Sequence, residues 1–455
     1  MFHRELTEQV TKEIEGIFGS KNVRLDEPTR RAFSLDYSWF SPLLKKSVEH
    51  ALCDAVVFAE HTSQIRALLE LAHEKRIPVV VRGAGTGNYA QCVPLKGGVV
   101  LDITRIKAKI EFEANEVFVE PGVRLGELKS AAEKRALTLR TYPSTYIVST
   151  VSGYIGGGSG GVGSVEFGRL WEGNVSQVVL ATPVKGEILI KGKALLGVIH
   201  AAGTTGVATQ IGLPLCEKPE LVGFVSSFKT LEDSVSFSLE LAKTKGFLKR
   251  VVTLFEPAIV RFFARSVKDR VFKSVGKSVH TLFDQENYAV IAIFEKNGEN
   301  VVSELLAKRA LSTEWLDDDE AEKLTDYTFN HTTLWAAKQE QRVTWLLFGL
   351  PDDPVHKIKK IKQKYQDKIL LHLELHKVRD KDERYLLALP LVFYDTPEEL
   401  LEITGFLRSI GCEVENIHSY YLDDRLDNEK LEAIKAMKRE NDPRNVLNPG
   451  KIKGF

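Results

Sequence analysis

The chain has 455 residues, 43% hydrophobic and 27% charged, enough apolar material for two or three domains, which excludes disordered and fibrous classes. Lys and Arg number 62, as do Asp and Glu, so the formal charge is zero and no global field favours nucleic acid or an anionic membrane. No stretch approaches the ~18 uninterrupted apolar residues of a spanning helix. Cys53, Cys92, Cys216 and Cys412 lie far apart, giving no iron–sulfur or zinc motif and no disulfide framework. The expected location is the reducing cytoplasm, with peripheral attachment to a membrane left open.

Charges run through the first nineteen residues, MFHRELTEQVTKEIEGIFG, which read as a folded helix and not as a leader. Ile65, Leu68, Leu69 and Leu71 follow at helical spacing, and Ile77-Pro78-Val79-Val80-Val81 makes a short buried strand ending in Arg82. Val99–Ile103 and Val117–Glu120 are further strands, and the Pro121-Gly122 turn hands over to a helix around Leu125–Lys134. Beyond Pro219 the pattern predicts strands at Val222–Phe228, Arg250–Leu254, Ala289–Glu295, Trp345–Leu350, Leu370–Val378 and Tyr385–Tyr394. The amphipathic segments Leu231–Lys245, Val355–Tyr365 and Glu398–Ile410 lie between them, so an antiparallel sheet with helices on one side is expected. The last forty-odd residues read as a helix followed by an irregular tail.

Glycine carries most of the functional signal. Of 33 glycines, eight fall within Gly153–Gly168 and a second cluster runs from Gly83 to Gly98, both in apolar, β-branched surroundings unlike a solvated linker. Gly83, Gly85 and Gly87 follow a strand but lead into Tyr89-Ala90-Gln91, which is no helix start, and Asn88 replaces the Lys of an NTPase loop. What remains is a run of bare amides able to form an anion nest suited to a diphosphate. The second cluster, with Thr150, Ser152, Ser159 and Ser164, leaves backbone bare for a planar ring, and Gly203–Thr209 has the same character. Three tight turns in a β-rich domain are the plainer alternative; their combination favours a cofactor.

The order of these segments, through RGAGTG, LDIT, VEPGV, Pro143-Ser144, the glycine-rich loop, GTTGVAT and a terminal DPRNVLNPGKI, resembles the flavin-dependent vanillyl-alcohol oxidase and p-cresol methylhydroxylase superfamily. Its nearest branch by this resemblance holds the FAD subunit of glycolate oxidase and the flavin-linked D-lactate dehydrogenases. The resemblance is dense over Leu52–Pro214 and good at the C-terminal end. It implies an α+β fold with a two-part FAD-binding domain, residues 1–216 and 411–455, around an antiparallel-sheet cap domain with flanking helices, residues 217–410.

It also implies that Arg82, Gly83, Ala84, Gly85, Thr86, Gly87 and Asn88 hold the FAD diphosphate. Pro143, Ser144, Thr150, Ser152 and Gly153 would lie along the isoalloxazine and ribityl chain, and Gly158, Ser159, Gly160 and Gly161 stand where the family has an Asn-Ala-Gly-Gly loop. Gly203, Thr204, Gly206 and Val207 would stand near the flavin, and Asn448 and Lys451 belong to the terminal motif that returns to the cofactor domain. Covalent members attach flavin through a His after the diphosphate loop; no His stands between His73 and His200, so the FAD is expected to be noncovalent. Family members with a His-x-Gly-Asp-Gly-Asn-x-His metal motif differ here, where the corresponding stretch reads Lys381-Asp382-Glu383-Arg384-Tyr385-Leu386. Of their Glu-His-Gly-Ile-Gly motif only His418 survives, in Glu415-Asn416-Ile417-His418-Ser419-Tyr420, and no metal is expected.

The expected activity is oxidation of a CH–OH group in a 2-hydroxy acid or related alcohol, by hydride transfer to FAD. His418 is the candidate base, since imidazole titrates near neutral pH, with Tyr420 or Tyr421 beside it. Asn330 and His331, in the Asn330–Trp335 cluster, are candidates for lining the pocket, with Lys338 and Arg342 as unranked carboxylate partners. His372, Glu374 and His376 share one face of a strand; chelation by all three is awkward at ~6.5–7 Å spacing, and a solvated face opposite Leu371, Leu373 and Leu375 is the plainer expectation. The expected partners are a small-molecule substrate and an unidentified electron acceptor or partner subunit, not nucleic acid. The rival readings are an FAD-binding subunit of a glycolate oxidase-like complex without activity of its own, and an NAD-binding protein.

Overall fold

A computed structural model describes residues 6–106, 109–266, 282–377 and 383–455. The chain divides into two compact units, one of Met1–Ser159, Leu170–Glu217 and Ile417–Phe455, the other of Gly160–Arg169 and Lys218–Asn416.

The first unit opens with helix Glu8–Phe18, capped by Thr7, whose hydroxyl accepts from the Val10 amide at 3.3 Å. Its strands β1 (Val23–Arg24), β2 (Ala55–Phe58), β3 (Val79–Arg82) and β4 (Val99–Asp102) form a sheet in the order β1-β2-β4-β3. β2, β4 and β3 run parallel, and their runs of Val and Ala, buried except for the partly exposed Val81, reflect cover on both faces. Helix Thr62–Lys75 presses Ile65, Leu68, Leu69 and Ala72 into a core with Val57, Val79 and Leu101, each buried aliphatic contributing ~1.5–3 kcal/mol. A second sheet holds β5 (Ile110–Glu113), β6 (Glu116–Val119), β7 (Leu137–Leu139), β8 (Gln177–Thr182), β9 (Gly186–Lys191) and β10 (Val207–Glu217), with β10 pairing β6, β7 and β8.

After helix Asn428–Asn441 the chain turns at Asp442, whose carboxylate accepts from the Val446 and Leu447 amides and from Lys438 Nζ. That turn lays the tail along β3: Val79 donates to the Val446 carbonyl and Asn448 donates back to Val79, both at 2.8 Å.

The second unit contains β11 (Leu221–Phe228), β12 (Lys249–Phe255), β13 (Tyr288–Glu295), β14 (Ser312–Leu316), β15 (Val343–Trp345), β16 (Leu347–Leu350), β17 (Ile369–Leu370), β18 (His372–Lys377), β19 (Arg384–Ala388), β20 (Leu391–Phe393) and β21 (Glu413–Glu415). Eight of them form an antiparallel sheet in the order β14-β11-β13-β12-β18-β19-β16-β21, and β15, β20 and β17 form a small sheet of their own. Three expected strands are therefore two strands each: the chain changes sheet at Leu346, at Leu371 and at Leu389-Pro390. Both halves are buried, so hydropathy carries no mark of the break; Pro390, without an N–H, is the one local sign. Val378, the expected end of one strand, lies outside the described residues, as do Lys381 and Asp382.

Candidate functional site

The three glycine segments converge at the C-terminal end of β3. Gly83 stands against the second segment so closely that an added Cβ would overlap Thr150 Oγ1 and lie 3.6 Å from the Gly153 Cα. Gly203, at φ +66°, stands where a Cβ would be 2.6 Å from Val81, linking the third segment to the same strand. Gly85 has φ +68°, and a Cβ there would meet the Arg82 guanidinium. Arg82 itself turns back into the protein, donating from Nη1 to the Leu35 carbonyl at 2.5 Å and to Cys92 Sγ at 3.3 Å. Its contribution here is to brace the loop.

Among the described residues, no backbone N–H from Gly83 to Asn88 donates to a backbone carbonyl or side chain of the protein. The segment is partly exposed, like the Val81-Arg82 end of β3 that it leaves, so Gly83, Ala84, Gly85, Thr86, Gly87 and Asn88 present six bare amides in a side-chain-free trough. Gly87 is held by Tyr37, which donates to its carbonyl at 2.7 Å, and a Cβ there would crowd Gln91 Oε1. Thr86 Oγ1 shares its hydrogen bond with Ser149 Oγ at 3.1 Å, and Ser149 in turn with Thr145 Oγ1 at 2.8 Å. Thr145 and Ser149 are hydroxyls that the sequence reading passed over, because neither neighbours a glycine.

Thr150 caps helix Val151–Gly157, its hydroxyl accepting from Gly153 at 3.1 Å, which leaves Ser152 and exposed Gly153 on the first turn. Pro143 and Ser144 begin the preceding turn, where the Pro143 carbonyl accepts from Tyr146 at 3.0 Å. The Gly158 carbonyl is bonded to His200 Nδ1 at 2.8 Å, and the Ser159 carbonyl accepts from Leu170. Thr204 is spent locally, its hydroxyl donating to Ala201 at 2.8 Å, while Gly206 packs against Leu180 and Val207 starts β10. Gly160 and Gly161 belong to the second unit, where the Gly161 amide donates to Ser164 Oγ at 2.9 Å.

Asn448 ties the segments from below, donating from Nδ2 to the Gln91 carbonyl at 2.6 Å and to Ala202 at 2.7 Å. Lys451 donates to the Ala90 carbonyl at 2.5 Å. Burial pulls its ammonium down to about 7, against the opposing pull of Asp36 and Cys92. The same burial pushes the Asp36 carboxyl up and the Cys92 thiol to about 11.

The candidate catalytic residues are divided between the two units. His418 and Tyr420 lie in the first unit and Asn330 and His331 in the second. His418 Nδ1 shares a hydrogen bond with Ser41 Oγ at 2.7 Å, and burial lowers its imidazole to about 4. Tyr420 packs on Tyr421, centroids 4.6 Å apart, and the hydrogen bond to Tyr421 and then burial raise its phenol to about 12. Asn330 stands at the N-cap of helix His331–Ala337 without making a cap bond, and His331 Nδ1 lies 3.5 Å from Asp326.

The expected solvated face of β18 is corrected: His372, Glu374 and His376 are all buried. β18 is an interior strand between β12 and β19, and residues 327–333 cover its polar face. Glu374 accepts from the Phe329 amide at 2.8 Å, from Thr253 Oγ1 at 2.5 Å and shares a 2.8 Å bond with His372, which is bonded to Thr332. Phe329 is thereby held at φ +50°, a strained conformation for an aromatic residue. Among the described residues, no group of three or more His, Cys, Asp or Glu is placed to hold a metal ion.

The sequence pattern put His376 on a solvated face and gave no signal for Arg169. His376 is 4% exposed and neither ring nitrogen has a hydrogen-bond partner among the described residues; burial and then the charge of Arg169 push it down to about 3. Arg169 donates from Nη2 to Tyr385 at 3.0 Å and to Glu415 at 2.8 Å. An isolated Arg in a glycine-rich stretch carries no motif; only the fold sets it near β18.

Residues 53–190 match the family described as FAD binding domain. The chain is 24% identical to glycolate oxidase subunit GlcD of Bacillus subtilis, across 98% of this chain and 97% of that one. It is 23% identical to a D-lactate dehydrogenase of Archaeoglobus fulgidus, across 87% and 90%. A solved alkyldihydroxyacetonephosphate synthase, 17% identical, superposes with TM-score 0.77 over 98% of this chain and 85% of its own, a likeness of fold alone.

Proposed function

From the premise that this chain carries an FAD binding domain over residues 53–190, we propose that it is an FAD-dependent oxidoreductase acting on the CH–OH group of a small 2-hydroxy acid. The convergence of Gly83, Thr150 and Gly203 around one half-exposed trough carries the reading, because it leaves backbone amides and no side chains where an extended, anionic, planar cofactor must lie. Full-length similarity to a glycolate oxidase subunit and a D-lactate dehydrogenase supports the substrate class.

Bound FAD supplies the two-electron acceptor. The amides of Gly83–Asn88 hold its diphosphate, Thr86 and Ser149 set the loop, and Asn448 and Lys451 fix the backbone beneath. The attachment is noncovalent. His418, with Tyr420 beside it, is the candidate base of the first unit; burial keeps its imidazole neutral in the resting protein. Anaerobic mixing of the holoprotein with glycolate and D-lactate tests this: loss of the flavin's visible band supports the reading. An oxidised band unmoved by these and other short 2-hydroxy acids would overturn the substrate class.

The second reading is an FAD-binding subunit that needs a partner for activity, favoured by the printed description of one relative as a subunit. A protein that binds FAD yet stays oxidised until a partner is added would support it.

A further inference from the structure

Beneath the Gly83–Asn88 loop, and wholly within the first unit, lies a buried group of charges. Lys451 is 1% exposed, and among the described residues its Nζ bonds a single acceptor, the Ala90 carbonyl at 2.5 Å, with no carboxylate in ion-pair contact. An ammonium has three donors, so the protein leaves most of this one unbonded in its interior. Asp36 is buried as well: its Oδ1 accepts from the Ser38 amide at 2.9 Å, while Oδ2 has no donor among the described residues. The other ionisable groups around this pair are Cys92, Arg82, Arg425 and Tyr420. Arg82 Nη1 lies 3.3 Å from Cys92 Sγ, Arg425 stacks over Tyr89, and Lys451 Nζ stands 5.5 Å from the centroid of the Tyr420 ring.

These side chains are tied to the loop itself. Tyr37, next to Asp36, donates its amide to the Gly87 carbonyl at 2.7 Å, and Lys451 holds the turn at Ala90, which has φ +58°. The six bare amides are thus bounded by Arg82 at one end and, two residues past the other, by the carbonyl that Lys451 holds. Burial favours the neutral amine, Arg425 adds to that, and the charges of Asp36 and Cys92 oppose it only in part, which leaves Lys451 at about 7. A diphosphate on the amides adds negative charge to the same poorly solvated region and favours the ammonium.

We propose that Lys451 is the charge partner of the FAD diphosphate, its amine taking up one proton from solvent as the cofactor binds. This rests on the FAD-dependent reading above. Below pH ~7 Lys451 is charged with or without FAD, and affinity is flat; above it the free protein has lost a proton that the complex keeps, so affinity falls as pH rises.

The test is calorimetric titration of the full chain, stripped of its cofactor, with FAD in two buffers of different ionisation enthalpy. At about pH 8 the wild type is expected to take up about half a proton or more per FAD, and its Kd to rise by up to about tenfold per pH unit above ~7. Lys451→Met, checked for folding by circular dichroism, should lose both the uptake and the pH dependence. Asp36→Asn withdraws a charge that favours the ammonium, so the dependence should persist and begin at lower pH; this variant decides the matter if Lys451→Met does not fold. No uptake by the wild type, uptake that persists in Lys451→Met, or uptake abolished in Asp36→Asn would each overturn the proposal. A wild type that binds no FAD at any pH would instead sink the reading on which it rests.

Discussion

Gly83 and Thr150 are packed with no room for a side chain between them, so the two glycine-bearing loops meet through a hydroxyl and a bare Cα. The same threonine caps the helix that begins the second loop. Gly83→Ala should therefore separate the loops, at a cost of ~1–3 kcal/mol. The expected outcome is a folded protein that retains FAD at least about tenfold less tightly, measured by equilibrium dialysis. Wild-type affinity in this variant would show that the trough does not depend on that contact.

The tail's position on β3 depends on a buried ion pair. Lys438 and Asp442 are 2.6 Å apart, and Asp442 also accepts from two amides of the turn that delivers Asn448. Asp442→Leu leaves Lys438 unpaired in the core and should cost ~3–5 kcal/mol. Thermal unfolding of the variant, alone and with excess FAD, checks it: the cofactor should recover only part of the lost Tm.

Glu374 gathers three bonds in the second unit, to Phe329, Thr253 and His372. Glu374→Ala should destabilise by ~2–4 kcal/mol, since a buried backbone donor and a buried imidazole lose their acceptor together. Urea unfolding is the measurement, and the strained turn at Phe329 should show the earliest loss of amide protection in hydrogen exchange.

His376 makes stability fall in acid. Its imidazole, near 6.5 in the unfolded chain, is pushed down to about 3 in the fold, so between those values only the unfolded chain binds the proton. Stability present above pH 6.5 is therefore lost as pH falls toward 3, by ~1.4 kcal/mol per pH unit from this group. His376→Phe should flatten the pH dependence of stability by that amount. An identical slope in the variant would place the acid sensitivity elsewhere.

What the sequence made legible follows from how local each signal is. Val79–Arg82 and the bare loop after it are readable because strand, turn and glycine lie side by side, and Gly85 advertises a conformation other residues avoid. Ser149 was not readable, because its partner Thr86 lies 63 residues away. The breaks at Leu346 and Leu371 were hidden because both sheets bury their residues. The alternation His372-Leu373-Glu374-Leu375-His376 suggested one wet face, and was misleading because the cover, residues 327–333, comes from a distant part of the chain. Arg169 and His376 are 207 residues apart, and no pattern in the sequence connects them.

The claim on which the rest depends is that this chain holds FAD in the trough between Gly83 and Thr150. The visible spectrum of the purified protein, followed by heating and identification of what leaves the pellet, tests it most directly. The account predicts a yellow protein that releases one FAD per chain without proteolysis. A colourless protein that cannot be reconstituted with FAD would contradict it.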